Sequence, residues 1–167
     1  MSQSSNDVIP TAMHCAYYVD TAEKLMPAMD LLIDTIAKKI AQYHGVVKTG
    51  RTHLMDAMPL TIDQELGAWN TQLLNARASL ITVLDALRFL PQGGTAVGTG
   101  INAHPRFARE FCKAISPLVG FKAETSNDYF RNLSSQDLSV QLSGELKNLA
   151  VILMKISNDL RWMNSGP

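Results

Sequence analysis

The chain of 167 residues is long enough for one domain, and its 46% hydrophobic and 18% charged content is typical of a globular protein with a substantial core. Fifteen basic residues balance fifteen acidic ones, so no net charge draws the protein to nucleic acid or to an anionic membrane surface. Cys15 and Cys112 have neither the spacing of a zinc site nor that of a disulfide framework, and the most apolar stretch, residues 78–90, is too short and too charged to span a bilayer.

The chain begins with a polar segment that runs from Ser2 to Asp7. It has neither the basic start nor the apolar stretch of a secretory signal peptide. We therefore expect the protein to stay in a reducing compartment. The cytoplasm is the expected location, or the mitochondrial matrix if the source is eukaryotic.

The first predicted helix carries apolar side chains in alternating steps of three and four residues, which places them on one face. These residues are Leu25, Met29, Leu32, Ile36, Ile40 and Tyr43. Pro27 costs least in the first turns of a helix, so we expect the regular helix to begin near Thr21 and to end at Gly45.

The second predicted helix begins at Thr61-Ile62-Asp63-Gln64, which has the pattern of a capping box. Its apolar positions keep heptad spacing until Pro91 and two glycines stop the helix. These positions are Leu66, Trp69, Leu73, Ala76, Leu80, Val83, Leu87 and Leu90.

A shorter third helix is predicted from Pro105 to Gly120, and a fourth over residues 142–163. No convincing strand pattern is seen, so we predict an all-α fold, a long-helix bundle that forms a single domain over residues 1–167. Further apolar positions outside the stripes widen the buried face and predict association between subunits. They are Ile33, Leu74, Leu84, Val151 and Ile152.

Three polar or glycine-rich segments lie at predicted helix ends, where function is commonly displayed. Residues 4–11 offer hydroxyl, amide and backbone donors that can hold a carboxylate, although the same residue types also serve as helix caps. Residues 48–59 combine the His53 imidazole, which exchanges a proton near neutral pH, with Thr52, which could orient an anion beside it. The alternative is that His53 is merely exposed.

The third segment, residues 92–105, is called the glycine loop here and contains the pattern G-x-G-x-x-A. We reject a nucleotide-binding function because the dinucleotide fingerprint must follow a strand, whereas a long helix precedes this loop. The segment also lacks the G-K-[ST] ending of a P-loop. We expect a close-packed turn whose glycines allow positive φ and near approach of a neighbour or ligand.

Four segments together resemble the fumarase and aspartase superfamily over essentially the whole chain. Residues 4–14 and 50–57 are similar to the first two conserved blocks of that family, and residues 92–100 and 154–162 add two further matches in the same order. The sequence Gly50-Arg51-Thr52-His53 resembles class II fumarases, since aspartases usually carry glutamine at the position of His53. His104-Pro105 is also similar to fumarases.

This resemblance implies the central helical part of a homotetrameric lyase that reversibly hydrates fumarate to L-malate, without metal or organic cofactor. Removal of a weakly acidic proton beside a carboxylate requires donors around the developing charge. By resemblance, Ser4, Ser5, Asn6 and Thr52 contact substrate carboxylates, and His53 transfers the proton of the hydroxyl group that leaves or enters.

Other polar residues are expected to be structural. We expect Arg51 to fix its loop, Asp56 to be its partner or a cap, and His14 and His104 to be packing or capping groups. Lys155 and Arg161 are expected to face solvent or a neighbouring helix.

The sequence also departs from the family pattern. Met58 and residues 130–133 differ from the usual residues, and the sequence does not contain the family's loop G-S-S-x-M-P-x-K-x-N, which carries the catalytic base serine. We therefore expect the isolated chain to be inactive, even as a tetramer, because the family's sites combine three subunits. An aspartase-type ammonia-lyase segment and a non-catalytic helical core remain as alternatives.

Overall fold

A computed structural model describes residues 3–165, and most of them are helical. The helical elements in chain order are α1 (Ser5–Asp20), a π-helical turn (Thr21–Leu25), α2 (Met26–Gln42), α3 (Ile62–Leu87), α4 (Phe107–Val119), α5 (Tyr129–Ser134) and α6 (Asp137–Met163). The strands are β1 (Val47–Thr52), β2 (Met55–Thr61), β3 (Phe89–Leu90) and β4 (Glu124–Thr125). The predicted fold of long helices is therefore confirmed, with two small two-stranded sheets added to it.

The segment between α2 and α3 is an antiparallel hairpin of β1 and β2, so the prediction of a chain without strands was wrong. Both strands leave most of their side chains exposed. A strand is predicted from the alternation of apolar and polar residues, and the more buried positions of β1 are Lys48 and Gly50, which are not apolar side chains.

The first helical run begins earlier than predicted, at Ser5 instead of near Thr21. The chain passes from α1 through the π-helical turn into α2, and Pro27 is the second residue of α2. Proline has no N–H to donate to the carbonyl four residues earlier. The π-helical turn just before it accommodates this missing helical hydrogen bond.

The other helix ends agree closely with the sequence pattern. The N–H of Thr61 donates to Oε1 of Gln64 at 3.0 Å, which is one half of the expected capping box before α3. α4 ends at Gly120, whose φ of 72° provides the left-handed C-cap. The short helix α5 was not predicted.

The chain divides into two compact units. Unit 1 comprises Met1–Leu25 and Leu80–Gly144, and unit 2 comprises Met26–Ser79 and Glu145–Pro167. Helices α3 and α6 contribute residues to both units. The single domain expected over residues 1–167 stays a prediction.

The core of unit 1 lies around the short parallel pair β3 and β4. Leu90 of β3 packs with Cys112 of α4 and with Phe121 and Ala123, which precede β4. The Tyr18 ring of α1 stacks on Phe121, with ring centroids 4.0 Å apart. This cluster fixes α1 and the end of β3, from which the glycine loop departs.

The core of unit 2 is formed by apolar faces of α2, α3 and α6, with polar contacts along its edge. Trp69 is 3% exposed and donates its indole N–H to Asp159 at 3.0 Å. Arg77 binds Asp30 through Nε and a terminal nitrogen, at 2.5 and 3.1 Å. These contacts connect α3 to α6 and to α2 within unit 2.

The apolar positions that predicted subunit association fall into two groups. Ile33, Leu84 and Ile152 are buried within the chain itself, so they serve its own core. Leu74 and Val151 remain 45% and 59% exposed. Only these two support the prediction.

In the part of the chain that the structure describes, every helix is too short or too polar to cross a bilayer.

Candidate active site

The first predicted segment forms the N-terminus of α1, with Ser4 as its N-cap. The Ser4 hydroxyl oxygen accepts the N–H of Asn6 at 3.2 Å and also that of Asp7, and the Asp7 carboxylate accepts the N–H of Ser4 in return. The alternative reading of this segment as a cap is therefore correct in geometry. It does not exclude binding, because a hydroxyl that accepts from the backbone keeps its own proton to donate.

Asn6 connects this first turn to the glycine loop. Its side-chain amide donates to the carbonyl of Ala96 at 2.8 Å, which leaves one amide proton and the side-chain oxygen for another partner. Ser5 and Asn6 are both exposed. The predicted residues Ser4, Ser5 and Asn6 thus lie together at the positive end of a helix of 16 residues, where carboxylates bind favourably.

The glycine loop is the close-packed turn that the sequence predicted. Gly93 has φ of 109°, and a Cβ there would lie 2.7 Å from the Cβ of Ala108. The N–H groups of Gly98 and Gly100 both donate to the carbonyl of Gly94, at 2.9 and 3.1 Å. The two residues of β3 precede this loop. The loop consists of turns, and the next helix, α4, begins only at Phe107, so the loop does not open a βαβ helix.

Asp7 is the functional candidate that sequence reasoning missed. Its side chain is fully buried and accepts hydrogen bonds from Gln92 Nε2 and from the N–H groups of Gly93 and Thr95, each at 3.0 Å. An acidic residue three positions after a serine N-cap is a variant of the capping box, which predicts the bond to Ser4. Nothing in the local sequence predicts the bonds to the glycine loop.

Thr52 and His53 lie in the second unit, at the tip of the β1–β2 hairpin. Thr52 pairs with Met55, so His53 and Leu54 form a two-residue connection. Their φ angles are 54° and 62°, as a type I′ turn requires at both central positions. Both predicted residues are exposed, and the turn presents the imidazole next to the Thr52 hydroxyl group in sequence.

The hairpin is fitted closely around Gly50. A Cβ at this position would lie 2.4 Å from the carbonyl oxygen of Met58 and 2.9 Å from Leu60. The register shifts between Thr49 and Arg51, where Gly50 faces the extra residue of a bulge in β2. The glycine of the Gly-Arg-Thr-His sequence therefore allows the two strands of the hairpin that carries the histidine to pack closely.

Arg51 and Asp56 are cross-strand partners, as their proposed structural roles require. Within residues 3–165 their side chains do not form an ion pair, so pairing through the backbone is what places them side by side. His14 is buried with Nδ1 3.2 Å from the Phe89 carbonyl oxygen, and burial lowers its pKa below 6.5. His104 Nδ1 accepts the N–H of Arg106 at 3.1 Å.

A cleft in unit 2 has a volume of about 680 Å³ and lies beside β1. Its charged walls are two ion pairs, Lys48 with Glu65 and Lys155 with Asp159. The lining includes Leu54 but neither Thr52 nor His53. Neither residue of the predicted catalytic turn lines this cleft, although their neighbours Arg51 and Leu54 do. Lys155 faces solvent, as expected, and its ion pair with Asp159 lies within α6.

The structure brings the predicted residues together in two groups. Ser4, Ser5 and Asn6 form one group in unit 1, and Thr52 and His53 form the other in unit 2. The first group supplies neutral hydrogen-bond donors for a carboxylate, and the second supplies a titratable ring and a hydroxyl group. Neutral donors of the first kind suit the binding of a carboxylate, and a titratable ring suits proton transfer.

Comparison with known proteins agrees with this chemistry. The family model Lyase_1, described as lyase, matches residues 1–167. A class II fumarate hydratase of Pseudomonas aeruginosa is 53% identical over 165 residues, which are 99% of this chain and 36% of the relative. A second, from Xylella fastidiosa, is 52% identical over 167 residues, which are 100% of this chain and 35% of the relative.

Solved structures give the same result. A class II fumarase from Schistosoma mansoni superposes with a TM-score of 0.93 at 35% identity, covering 99% of this chain and 38% of that chain. The resemblance predicted from four short motifs is confirmed. The chain spans 36% and 35% of the length of the two curated relatives that it matches.

Proposed function

This chain belongs to the lyase family whose model spans it, and we propose that it forms part of a class II fumarate hydratase, which reversibly adds water to fumarate to give L-malate. The observation that carries the proposal is the placement of His53. It follows Gly50, Arg51 and Thr52 and lies in an exposed hairpin turn. Its positive φ is the backbone conformation that this turn requires.

The proposed chemistry divides between the two groups of residues. Removal of the proton beside a carboxylate of L-malate places extra negative charge on that carboxylate. Ser4, Ser5, Asn6 and Thr52 donate hydrogen bonds to the substrate carboxylates, and α1 directs its positive end toward one of them. His53 gives a proton to the departing hydroxyl group, or accepts one from water in the reverse direction.

The remaining group that this reaction needs is a base that abstracts the proton. By resemblance it is a serine in a loop that the present sequence does not contain. We therefore expect the isolated chain to show no measurable hydration of fumarate. A hydratase activity of the isolated chain that His53→Ala abolishes would refute this expectation.

We further propose that the full enzyme is a homotetramer assembled through its long helices. Large apolar side chains remain exposed on α3 and α6 within unit 2, and such faces commonly mark association. They are Leu74, Val151, Met154 and Leu160, which are 45%, 59%, 64% and 51% exposed. Light scattering that shows a stable monomer would count against this assembly.

The free thiols of Cys15 and Cys112 support the cytoplasm as the expected compartment.

The test places this chain in a complete enzyme. The matching 165 residues of the Pseudomonas aeruginosa relative are replaced by those of this chain, and the resulting hybrid protein is called the chimera. We expect the chimera to hydrate fumarate, and the loss of fumarate absorbance measures this activity. His53→Ala should lower kcat by about 100-fold or more, the usual worth of a proton-transfer group.

His44 provides the matched control. It is a second exposed histidine in unit 2 and binds Asp63 at 3.1 Å. His44→Ala in the chimera should change kcat by less than about twofold, since surface substitutions away from the site have small effects. Full activity of His53→Ala would refute the proposal. Release of ammonia from aspartate would favour the aspartase alternative, and a chimera without either activity would favour a non-catalytic core.

A further inference from the structure

Asp7 is a buried carboxylate that faces four neutral donors. Oδ1 accepts the N–H of Ser4 at 2.9 Å. Oδ2 accepts the side-chain amide of Gln92 and the N–H groups of Gly93 and Thr95, each at 3.0 Å. The residue is 0% exposed, so it cannot touch a substrate.

The two oxygens of Asp7 do different work. Oδ1 holds the backbone of the N-cap, and Oδ2 holds the glycine loop, which lies 85–88 residues further along the chain. An amide side chain offers a single acceptor oxygen and cannot replace both. Only a carboxylate of this length joins the cap to the loop.

A second contact connects the same two segments. Asn6 donates its side-chain amide to the carbonyl of Ala96, one residue beyond Thr95. The loop also packs closely on α4, because Gly93 lacks a Cβ, which would otherwise meet Ala108 at 2.7 Å. The consecutive residues Asn6 and Asp7 therefore fix the first turn of α1 on one face of the glycine loop.

We propose that Asp7 is a positioning residue for the reaction. It holds Ser4, Ser5 and Asn6 in the arrangement that binds a substrate carboxylate, and the glycine loop is the rigid support against which it does so. This inference rests on the proposed function, because it gives the fixed turn its purpose. Preorganised donors bind the substrate carboxylate without the cost of being ordered when it binds.

Asp7→Asn in the chimera separates the two halves of this contact. The amide oxygen is expected to occupy the position of Oδ2, where it keeps three donors. The NH₂ group then faces the N–H of Ser4, and two donors oppose each other. Ser4 should be displaced, and KM for fumarate should rise by about tenfold while kcat falls by less than about threefold, since ground-state binding is what is lost.

Hydrogen exchange reports on the turn without any need for activity. In Asp7→Asn, the peptide that covers the first turn of α1 should exchange faster than in the unmodified chimera, because its cap has lost a bond. Unchanged exchange there would overturn the proposal. Faster exchange with an unchanged KM would also overturn it, since Asp7 would then be structural only.

Thr11→Val provides the matched control for stability. The Thr11 hydroxyl donates to the backbone carbonyl of Asp7 at 2.7 Å and is buried in the same helix. Removing it weakens α1 without touching the carboxylate contacts, so KM should stay within about twofold of the unmodified value. A rise in KM equal to that of Asp7→Asn would overturn the positioning role.

Gln92→Met keeps the test decisive if Asp7→Asn does not fold. It removes one of the three donors to Oδ2 and retains the side-chain shape, so KM should rise about two- to threefold. In that case an unchanged KM would overturn the proposal. Absence of fumarate hydration in the unmodified chimera would instead refute the proposed function, and this result appears before any substitution is made.

Discussion

The first turn of α1 and the tip of the β1–β2 hairpin carry the two groups of proposed site residues, and they are held in different ways. The turn is fixed by side-chain hydrogen bonds to a loop distant in sequence, with Asp7 and Asn6 as the connecting residues. The hairpin tip is fixed by its own backbone, in which His53 and Leu54 both adopt positive φ. The residues of α1 that we propose to bind a carboxylate are thus held by hydrogen bonds to a distant loop, whereas His53, the proposed proton-transfer residue, lies on an exposed turn.

The sharpest test of the hairpin side is Gly50→Ala. The added Cβ would lie 2.4 Å from the carbonyl oxygen of Met58, so the strands must separate or shift. We expect the free energy of unfolding to fall by about 1–3 kcal/mol, the usual cost of overpacking. Thermal unfolding of the chimera, followed by circular dichroism, measures it.

Gly67→Ala is the control for this change. Gly67 lies inside α3 in the same unit, and a Cβ there would meet nothing within 4 Å. Alanine should raise the free energy of unfolding by about 0.5–1 kcal/mol, because glycine weakens a helix interior. A loss of stability at both positions would mean that the space around Gly50 is not the cause.

A smaller effect is expected at Leu54, whose φ of 62° is unfavourable for a residue with a branched side chain. Leu54→Gly should raise the free energy of unfolding by roughly 1 kcal/mol, because glycine adopts this conformation without strain. The side chain is 71% exposed, so little packing is lost. Leu54→Ala keeps the Cβ and should bring no gain. Equal effects of the two substitutions would argue against strain in this turn.

The smallest effect is expected in unit 1 and depends on pH. Burial lowers the pKa of His14 below 6.5; the Phe89 carbonyl and Asp137 oppose that shift, and Arg131 adds to it. As the pH falls below 6.5, the unfolded chain takes up a proton that the folded chain resists, so stability decreases. Between pH 7 and pH 6 the loss should be less than about 0.7 kcal/mol.

His14→Gln isolates the contribution of this histidine. The variant should lose the part of the pH dependence that lies just below 6.5, because no group then titrates at that position. Thermal unfolding of the chimera and of this variant over a pH series measures the difference. Identical pH profiles would show that the buried ring does not contribute.

The long helices could be predicted because their information is local. The heptad spacing from Leu66 to Leu87 lies within one helix, and the cap at Thr61 and the stop at Gly120 each act within a few residues of a helix end. The predicted start near Thr21 was wrong because the sequence shows Pro27 but not the π-helical turn that accommodates it.

The hairpin and the Asp7 contacts could not be predicted, for two different reasons. β1 and β2 leave most of their side chains exposed, and the residues on the more buried side of β1 are Lys48 and Gly50, so no apolar residue recurs at every second position of β1. Asp7 meets Gln92, Gly93 and Thr95 only because the chain returns to it after more than 80 residues. The local residue pattern predicted that Ser4 caps a helix and that His53 lies on a connection between helices, but it did not predict the contacts that hold these segments.

The glycine loop has a consequence for how such motifs are recognised. Its backbone N–H groups converge on an anion as the loops of phosphate-binding proteins do, but the anion is a carboxylate of the same chain. The anion-binding N–H groups of the loop are therefore already bound to Asp7 in the folded protein. A search for nucleotide sites by glycine spacing alone would select this loop. That selection would be wrong, because a buried aspartate more than 80 residues earlier in the sequence already binds the N–H groups of the loop.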